Sequence, residues 1–342
     1  MADVALLAGV SHQTVSRVLN DHPAVRDETR ERVQAAIIEL GYRRNSAARA
    51  LVTKRSTTIG VISFDTTLFG PASTLFGVEQ AAHQAGYYVS VASDKTVSRA
   101  TVMDGIERLA AQSVEGFIVI APQREAFAAV AEVPRDMPVV VVEGPSASWA
   151  PVVSVDQVKG GRIVTEHLLA QGASTVWHIG GPVDWLEAEG REVGWRAVLT
   201  EAGIEPPPVL RGDWTAGSGY AAGQRLARQR LDGPRRARGS AVDAVFVGND
   251  QMALGLLRAF HESGVRVPGD VLVAGFDDVP EAAFFTPPLT TVRQDFAAVG
   301  RLCIELLLRR IDGDTSPGLR SVVEPELIVR QSTDRAGQAG LG

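Results

Sequence analysis

Within AGVSHQTVSRVLN (residues 8–20), seven side chains could hydrogen-bond to nucleic acid: Ser11, His12, Gln13, Thr14, Ser16, Arg17 and Asn20. A glutamine amide matches the major-groove edge of adenine, and an arginine fork takes O6 and N7 of guanine. Each good pair is worth ~1–3 kcal/mol of discrimination. The spacing predicts two short helices joined by a tight turn at Gly9 and Val10, with Ser11 as the natural N-cap of the second. That helix turns His12, Gln13, Ser16 and Arg17 outward. Val15, Val18 and Leu19 point back against a third helix within DETRERVQAAIIELGY (27–42). A helix-turn-helix of this kind lays its second helix in the major groove of DNA. Thr14 and Asn20 are placed for backbone phosphates, while Ser16 equally suits a tight helix crossing. A three-helix bundle that touches nothing leaves this polar set unexplained.

Charge is distributed to match. The formal net charge is −6, but residues 1–55 carry nine Lys/Arg against six Asp/Glu, leaving about −9 for the rest. Between 41 and 55 lie Arg43, Arg44, Arg49, Lys54 and Arg55 with no acid. A small basic head on a phosphate backbone and a large acidic body held off from it fit this asymmetry. Arg43 and Arg49 are expected to serve any DNA sequence alike. Residues 45–57 include helix formers (Ala47, Ala48, Arg49, Ala50, Leu51), yet so short a helix is marginal alone and needs DNA or a second copy to hold it.

Other chemistries find little to stand on. The single cysteine, Cys303, sits in the apolar run RLCIELLL, so no intrachain disulfide forms and a reducing cytoplasmic compartment is expected. The six histidines have no metal-ligand spacing. There is no export signal and no apolar run of ~18 residues to span a bilayer. GGPVDW (180–185) lacks the GxGxxG spacing, and GxSxG, Walker A and HExxH sequences are absent. The adjacent pair Asp277 and Asp278 cannot place opposed carboxylates across a glycosidic bond without special backbone geometry. Neither an enzyme nor a cofactor is expected.

From residue 58 the pattern becomes α/β. Apolar runs at 59–64, 87–93, 116–121 and 138–143 alternate with helical stretches near 74–85, 98–112 and 124–132. The theme repeats with strands near 175–179, 208–211, 243–247 and 271–275 and helices near 157–171, 187–202, 216–231 and 251–263. Near-continuous Val/Ile runs are what a parallel sheet covered on both faces requires. The fold class is therefore an all-α helix-turn-helix head followed by an α/β body of two doubly wound parallel-sheet lobes, each with its ligand edge at the strand C-termini. GPRRARGS (233–240) reads as an exposed loop, and residues 332–342 as a flexible tail.

AGVSHQTVSRVLN, GDWTAGSGY (212–220), NDQMALGLLRAFHESG (249–264), VAGFDDVP (273–280) and PPLTTVRQDFAAVG (287–300) together resemble the LacI/GalR family of bacterial transcriptional regulators over almost the whole chain. The resemblance implies a cytoplasmic, nucleoid-associated repressor with a helix-turn-helix head (1–44), a hinge (45–57) and an effector-binding and dimerisation body of periplasmic-binding-protein type (58–331). It divides that body into an N-lobe of about 58–155 and 292–317 and a C-lobe of about 156–291 and 318–331. It further implies that Asn45, Ala48 and Leu51 enter the minor groove, where Leu51 would wedge between base steps. Two departures bear on the expectation. The Asp3-Val4-Ala5 triplet that opens helix 1 lacks the preceding capping Thr usual in the family, at a cost of ~1 kcal/mol of helix stability. The chain also stops short of the leucine-rich tetramer-forming helix found in part of the family, so a homodimer on a pseudo-palindromic operator is expected.

By the same resemblance Glu143, Arg191, Trp214, Asn249, Asp277, Gln294 and Phe296 form the effector site. Arg191 and the carboxylates would fix hydroxyls, and Trp214 would face a pyranose ring. Glu143 stands where an aspartate is expected, so its extra methylene reaches further into the cleft. A small galactoside-like sugar inducer is the leading expectation. A purine-type corepressor is the nearer alternative, and a sugar-binding protein without DNA regulation the more remote one. Read without the resemblance, Trp214 could be core and Asp277 and Asp278 simple caps.

Overall fold

The computed structural model describes residues 1–42, 55–120, 122–134, 137–145, 149–232 and 242–335. The expectations for Arg43, Arg44, Asn45, Ala48, Arg49, Leu51, Lys54 and the 233–240 loop fall outside the described residues. The chain divides into two compact units, Met1–Ser56 and Thr57–Gly342.

In the first unit, α1 (Ala2–Ala8), α2 (His12–Leu19) and α3 (Asp27–Glu39) pack through Val4, Ala5, Val15, Val18, Val33 and Ala36. Gly9 ends α1 in the left-handed conformation at φ 64°, which glycine adopts without the Cβ penalty. Met1, the N-cap of α1, gives no side-chain cap.

The second unit is built on two parallel sheets. The first sheet has the order β11-β5-β4-β3-β1-β2. Its strands are β1 (Thr58–Phe64), β2 (Tyr88–Asp94), β3 (Phe117–Ile120), β4 (Val139–Val142), β5 (Val152–Val155) and β11 (Arg320–Val323). Successive strand residues alternate between two apolar faces: Ile59, Val61, Ile118 and Val140 pack on one side, and Ile62, Phe64, Val119 and Val141 on the other. This produces the near-continuous apolar runs of the sequence. Helices α4 (Phe69–Gln84) and α11 (Phe296–Ile311) cover the first face, with Cys303 fully buried; α5 (Arg99–Ala110) and α6 (Arg124–Val130) cover the second.

The second sheet runs β7-β6-β8-β9, from β6 (Trp177–Gly180), β7 (Leu210–Arg211), β8 (Ala244–Val247) and β9 (Leu272–Ala274). Helices α7 (Gln157–Ala170) and α8 (Leu186–Glu201) lie on one face; α9 (Ala216–Asp232) and α10 (Asp250–Glu262) lie on the other. Strands β10 (Thr291–Arg293) and β12 (Glu326–Ile328) pair antiparallel beside it, with Val292 and Leu327 packed into the same core.

This topology corrects the expected partition between the lobes. Residues 318–331 were assigned to the C-lobe, yet Arg320–Val323 is hydrogen-bonded to β5 of the first sheet and Val323 joins its core. Residue 292 was placed with the N-lobe, yet Val292 is core of the second. The chain therefore crosses between lobes just after β5, just after β10 and again between β11 and β12. Gln331–Thr333 is likewise not loose. Ser332 and Thr333 are fully buried, with the Ser332 hydroxyl donating to the Val273 carbonyl at 2.6 Å.

Candidate ligand cleft and candidate nucleic-acid interface

The C-terminal ends of both sheets' strands face a common cleft. Glu143 follows β4, Gln157 follows β5, Trp214 follows β7, Asn249 follows β8, Asp277 follows β9 and Gln294 follows β10. Glu143, Trp214 and Asp277 have φ of 61°, 72° and 107°. Non-glycine residues held there store local strain of order 1–3 kcal/mol each, a feature concentrated at functional sites.

One chamber is lined by Arg191, Trp214, Asn249, Asp277 and Gln294, as the sequence led one to expect. It also holds Phe69, Trp185 and Glu187, which sequence reasoning missed. A second, smaller space contains Glu143 and Phe296, walled by Ile120, Val142 and Val155, and again Glu187.

Arg191 is the hub. It extends from α8, and its depth is set by a glycine seam: a Cβ at Gly161 would stand 2.3 Å from the Arg191 carbonyl oxygen, and one at Gly194 would stand 2.1 Å from that of Val158. Only bare backbones let α7 and α8 approach this closely. The Arg191 Nε donates to Gln157 Oε1 at 2.9 Å and its Nη1 to the Gly248 carbonyl, while Nη2 lies 3.6 Å from Asp277 Oδ1. Gln294 donates to Asp277 Oδ1 at 2.7 Å and accepts from Gln157 Nε2 at 2.9 Å. Gln157, Gln294, Asp277 and Arg191 thus close a ring. Two of its members sit where the chain crosses between lobes. Glu143 joins from the first lobe through Oε1, which accepts from the Val155 N–H at 3.0 Å and from Gln157 at 3.5 Å.

The remaining expected residues divide by how much of their chemistry is still available. Asn249 lines the chamber, but it caps α10 through Met252 N–H and donates to the Trp214 carbonyl and Gln251. Trp214 is both core and lining: it packs against Trp185 edge to face at 5.5 Å, and its indole N–H has no acceptor. Phe296 meets Phe69 edge to face at 5.9 Å. Asp278 faces away, paired with Arg293 and Arg330 at 2.7 Å each.

The cleft is rich in carboxyl groups for one arginine. Burial raises Asp277 to about 6, against the pull of Arg191 and Gln294. Burial raises Glu187 to about 7 and, helped by the nearby Glu187 charge, Glu143 to about 8. For Glu143 the folded value stands above the ordinary 4.5. The native state then holds more protons than the unfolded chain between these limits, and stability falls as pH rises through that window. Glutamine at 143 keeps the acceptor for Val155 and removes the charge. Glu143→Gln is expected to raise the melting temperature, by more at pH 8 than at pH 5; a pH-independent difference in calorimetric scans would contradict this.

In the head, Ser11 caps α2 as expected, its Oγ accepting from Thr14 N–H at 3.1 Å and meeting Thr14 Oγ1 at 2.9 Å. Asn20 turns its amide onto the Ser16 carbonyl at 2.9 Å. His12, Gln13 and Arg17 are exposed and make no side-chain hydrogen bond among the described residues, whereas Val15 and Val18 are buried. The helix therefore presents three uncommitted polar groups, including one arginine fork.

A three-helix head of this form, joined to a two-lobed ligand-binding body, defines a class of ligand-responsive DNA-binding regulators. Comparison with known proteins places the chain within it. Residues 1–45 match the bacterial regulatory proteins of the lacI family, and residues 165–333 match the periplasmic binding protein-like domain. The lactose operon repressor of Escherichia coli (strain K12) is 33% identical over 97% of this chain and 89% of that protein. The transcriptional regulator CelR of Thermobifida fusca is 37% identical over 96% of each. The crystal structure of the lac repressor dimer bound to operator and the anti-inducer ONPF superimposes with a TM-score of 0.84 at 34% identity, covering 97% of this chain and 98% of that one. The chain belongs to the LacI family: it is a DNA-binding transcriptional repressor and not an enzyme. No helix among the described residues is long and apolar enough to cross a membrane, and no cluster of metal-ligating side chains occurs among them.

Proposed function

We propose that this repressor binds a pseudo-palindromic operator as a homodimer in the cytoplasm and is released by a small galactoside-like sugar held in the cleft. The observation that carries the reading is the ring Gln157–Gln294–Asp277–Arg191. A sugar hydroxyl that bonds Arg191 or Asp277 competes with this ring, and the ring contains residues from two of the crossings between lobes. A ligand shifts a two-state protein only through unequal affinity for the states, and here the unequal groups are the ones that tie the lobes. Trp214 and Trp185 give the apolar face a pyranose needs, while Glu143, Asp277, Gln294 and Phe296 complete the lining.

Dimerisation is supported by an apolar groove between α4 and α11, where Phe76 is 62% exposed above Ala72, Gly77 and Ala297. On the DNA side we assign base contacts to His12, Gln13 and Arg17. Ser11, Thr14, Ser16 and Asn20 hold the helix and meet phosphates, and Asn45, Ala48 and Leu51 serve the minor groove.

The test is a titration of operator binding by the intact protein against a panel of sugars and purines. Weaker binding with a galactoside supports the reading. Tighter binding with a purine replaces it with corepression.

A further inference from the structure

Two helices on opposite sides of the cleft start without a side-chain cap of their own: α6 after Gln123 in the first lobe, and α8 after Trp185 in the second. The first N–H groups of a helix have no partner inside it, and here each helix finds one on the other lobe. The Leu186 N–H donates to the Pro122 carbonyl at 2.8 Å, and the Arg124 N–H donates to the Asp184 carbonyl at 3.3 Å. Gln123 and Trp185 stand opposite each other between these bonds as an antiparallel bridge. Arg124 also pairs with Glu189 in the first turn of α8. None of this passes through the three chain crossings, so it is a separate tie between the lobes. Its parts release readily. Both ionic side chains are about half exposed, and the buried Gln123 has an Oε1 with no partner among the described residues. Parting the lobes returns that acceptor to water.

Behind this bridge a second element fills the cleft. Leu68 and Phe69, at the start of α4 in the first lobe, pack against the core of the second. Phe69 lines the effector chamber together with Trp185 and Trp214. The space left there is about 20 Å³, room for about one water and not for a pyranose. Trp185 belongs to both elements, since it bridges Gln123 and lines the chamber.

We infer that the 122–124 and 184–186 segments are a latch on the cleft, and that Phe69 is a plug which the effector displaces. The inference rests on the reading above that this cleft receives the effector. The effector binds the unlatched arrangement, so its apparent affinity is the intrinsic affinity multiplied by the fraction of molecules that are open. Loosening the latch therefore tightens effector binding, the opposite of what loss of a ligand contact does. Arg124 and Glu189 then set the threshold of induction while touching neither sugar nor DNA.

Charge exchange in the full-length protein tests this. Arg124→Glu brings two carboxylates together, Glu189→Arg brings two guanidinium groups together, and the double variant restores the pair in reverse. Without ligand, amide hydrogen exchange at Leu186 should be roughly two- to fivefold faster in each single variant, as fits an exposed ion pair. The double variant should return toward the parent. D-galactose titrated calorimetrically should bind the single variants more tightly by the same factor, and Phe69→Ala about tenfold more tightly. Unchanged exchange in the single variants, or no recovery in the double, would overturn the latch. Faster exchange with unchanged galactose affinity would overturn its role as a gate. Weaker galactose binding by Phe69→Ala would make Phe69 a ligand contact and overturn the plug. Faster exchange with no galactose binding by any of these proteins would support the latch and overturn the galactoside reading.

Discussion

Alanine at Arg191 is expected to abolish the response to sugar while operator binding in its absence stays near that of the parent. The side chain is 4% exposed and holds three partners at once, so the variant leaves Gln157 Oε1 and the Gly248 carbonyl without a donor and Asp277 without its cation. Breaking a buried ion pair costs about 3 kcal/mol or more, and the body of the variant should unfold at a correspondingly lower temperature. Losing the pull of Arg191 raises Asp277 further above about 6, which softens this by favouring its neutral form. The inducer loses hydrogen bonds to a charged group, each worth roughly 1.5–3 kcal/mol. Lysine does not rescue, because an ammonium cannot reach Gln157, Gly248 and Asp277 with a planar fork. Operator titrations below the melting temperature, with and without sugar, provide the check. Induction that survives in Arg191→Ala would remove this residue from the effector site.

In the head, Arg17→Ala should lower affinity for the specific operator by about 1–3 kcal/mol, roughly five- to a hundredfold or more, and change affinity for random DNA little. The guanidinium is exposed and has no partner among the described residues, so alanine frees no buried group and the head keeps its fold. The loss should be confined to one base pair per half-site when tested against single-base operator variants. An equal loss on specific and random DNA would make Arg17 a phosphate contact instead.

The parts of this molecule that follow a local rule were legible in its sequence. Val15 and Val18 opposite Gln13 and Arg17 define a one-sided helix, and the VVVV of β4 can only be a strand buried on both faces. The family resemblance named Glu143, Asn249 and Asp277, and each of them follows a strand end beside the cleft. Gln157 and Glu187 escaped because nothing local marks them: one opens a helix and the other sits in its first turn among many polar residues. Gln157 reaches Arg191 from the crossing after β5, and Glu187 lies one turn before Arg191 on α8. A usable signal was present in both cases. Gln157 lies two residues past a strand end, and Gly161, Gly190 and Gly194 sit where α7 and α8 touch. The partition of the lobes failed at residues 318–331 because a four-residue strand carries too little pattern to reveal its partner, and β11 is recognisable only by its register against Val152–Val155.

The return of β11 to the first sheet has a consequence for how the body comes into being. The second lobe is almost contiguous, from α7 to β10, and can close on itself as the polypeptide lengthens. The first lobe cannot. Until α11 and β11 have been made, the outer edge of β5 lacks its neighbour, and the face formed by Ile59, Val61, Ile118 and Val140 lacks half its cover. An open edge beside bare aliphatic side chains is an aggregation hazard during synthesis. The first lobe is thus begun first and closed only when nearly the whole chain has been made.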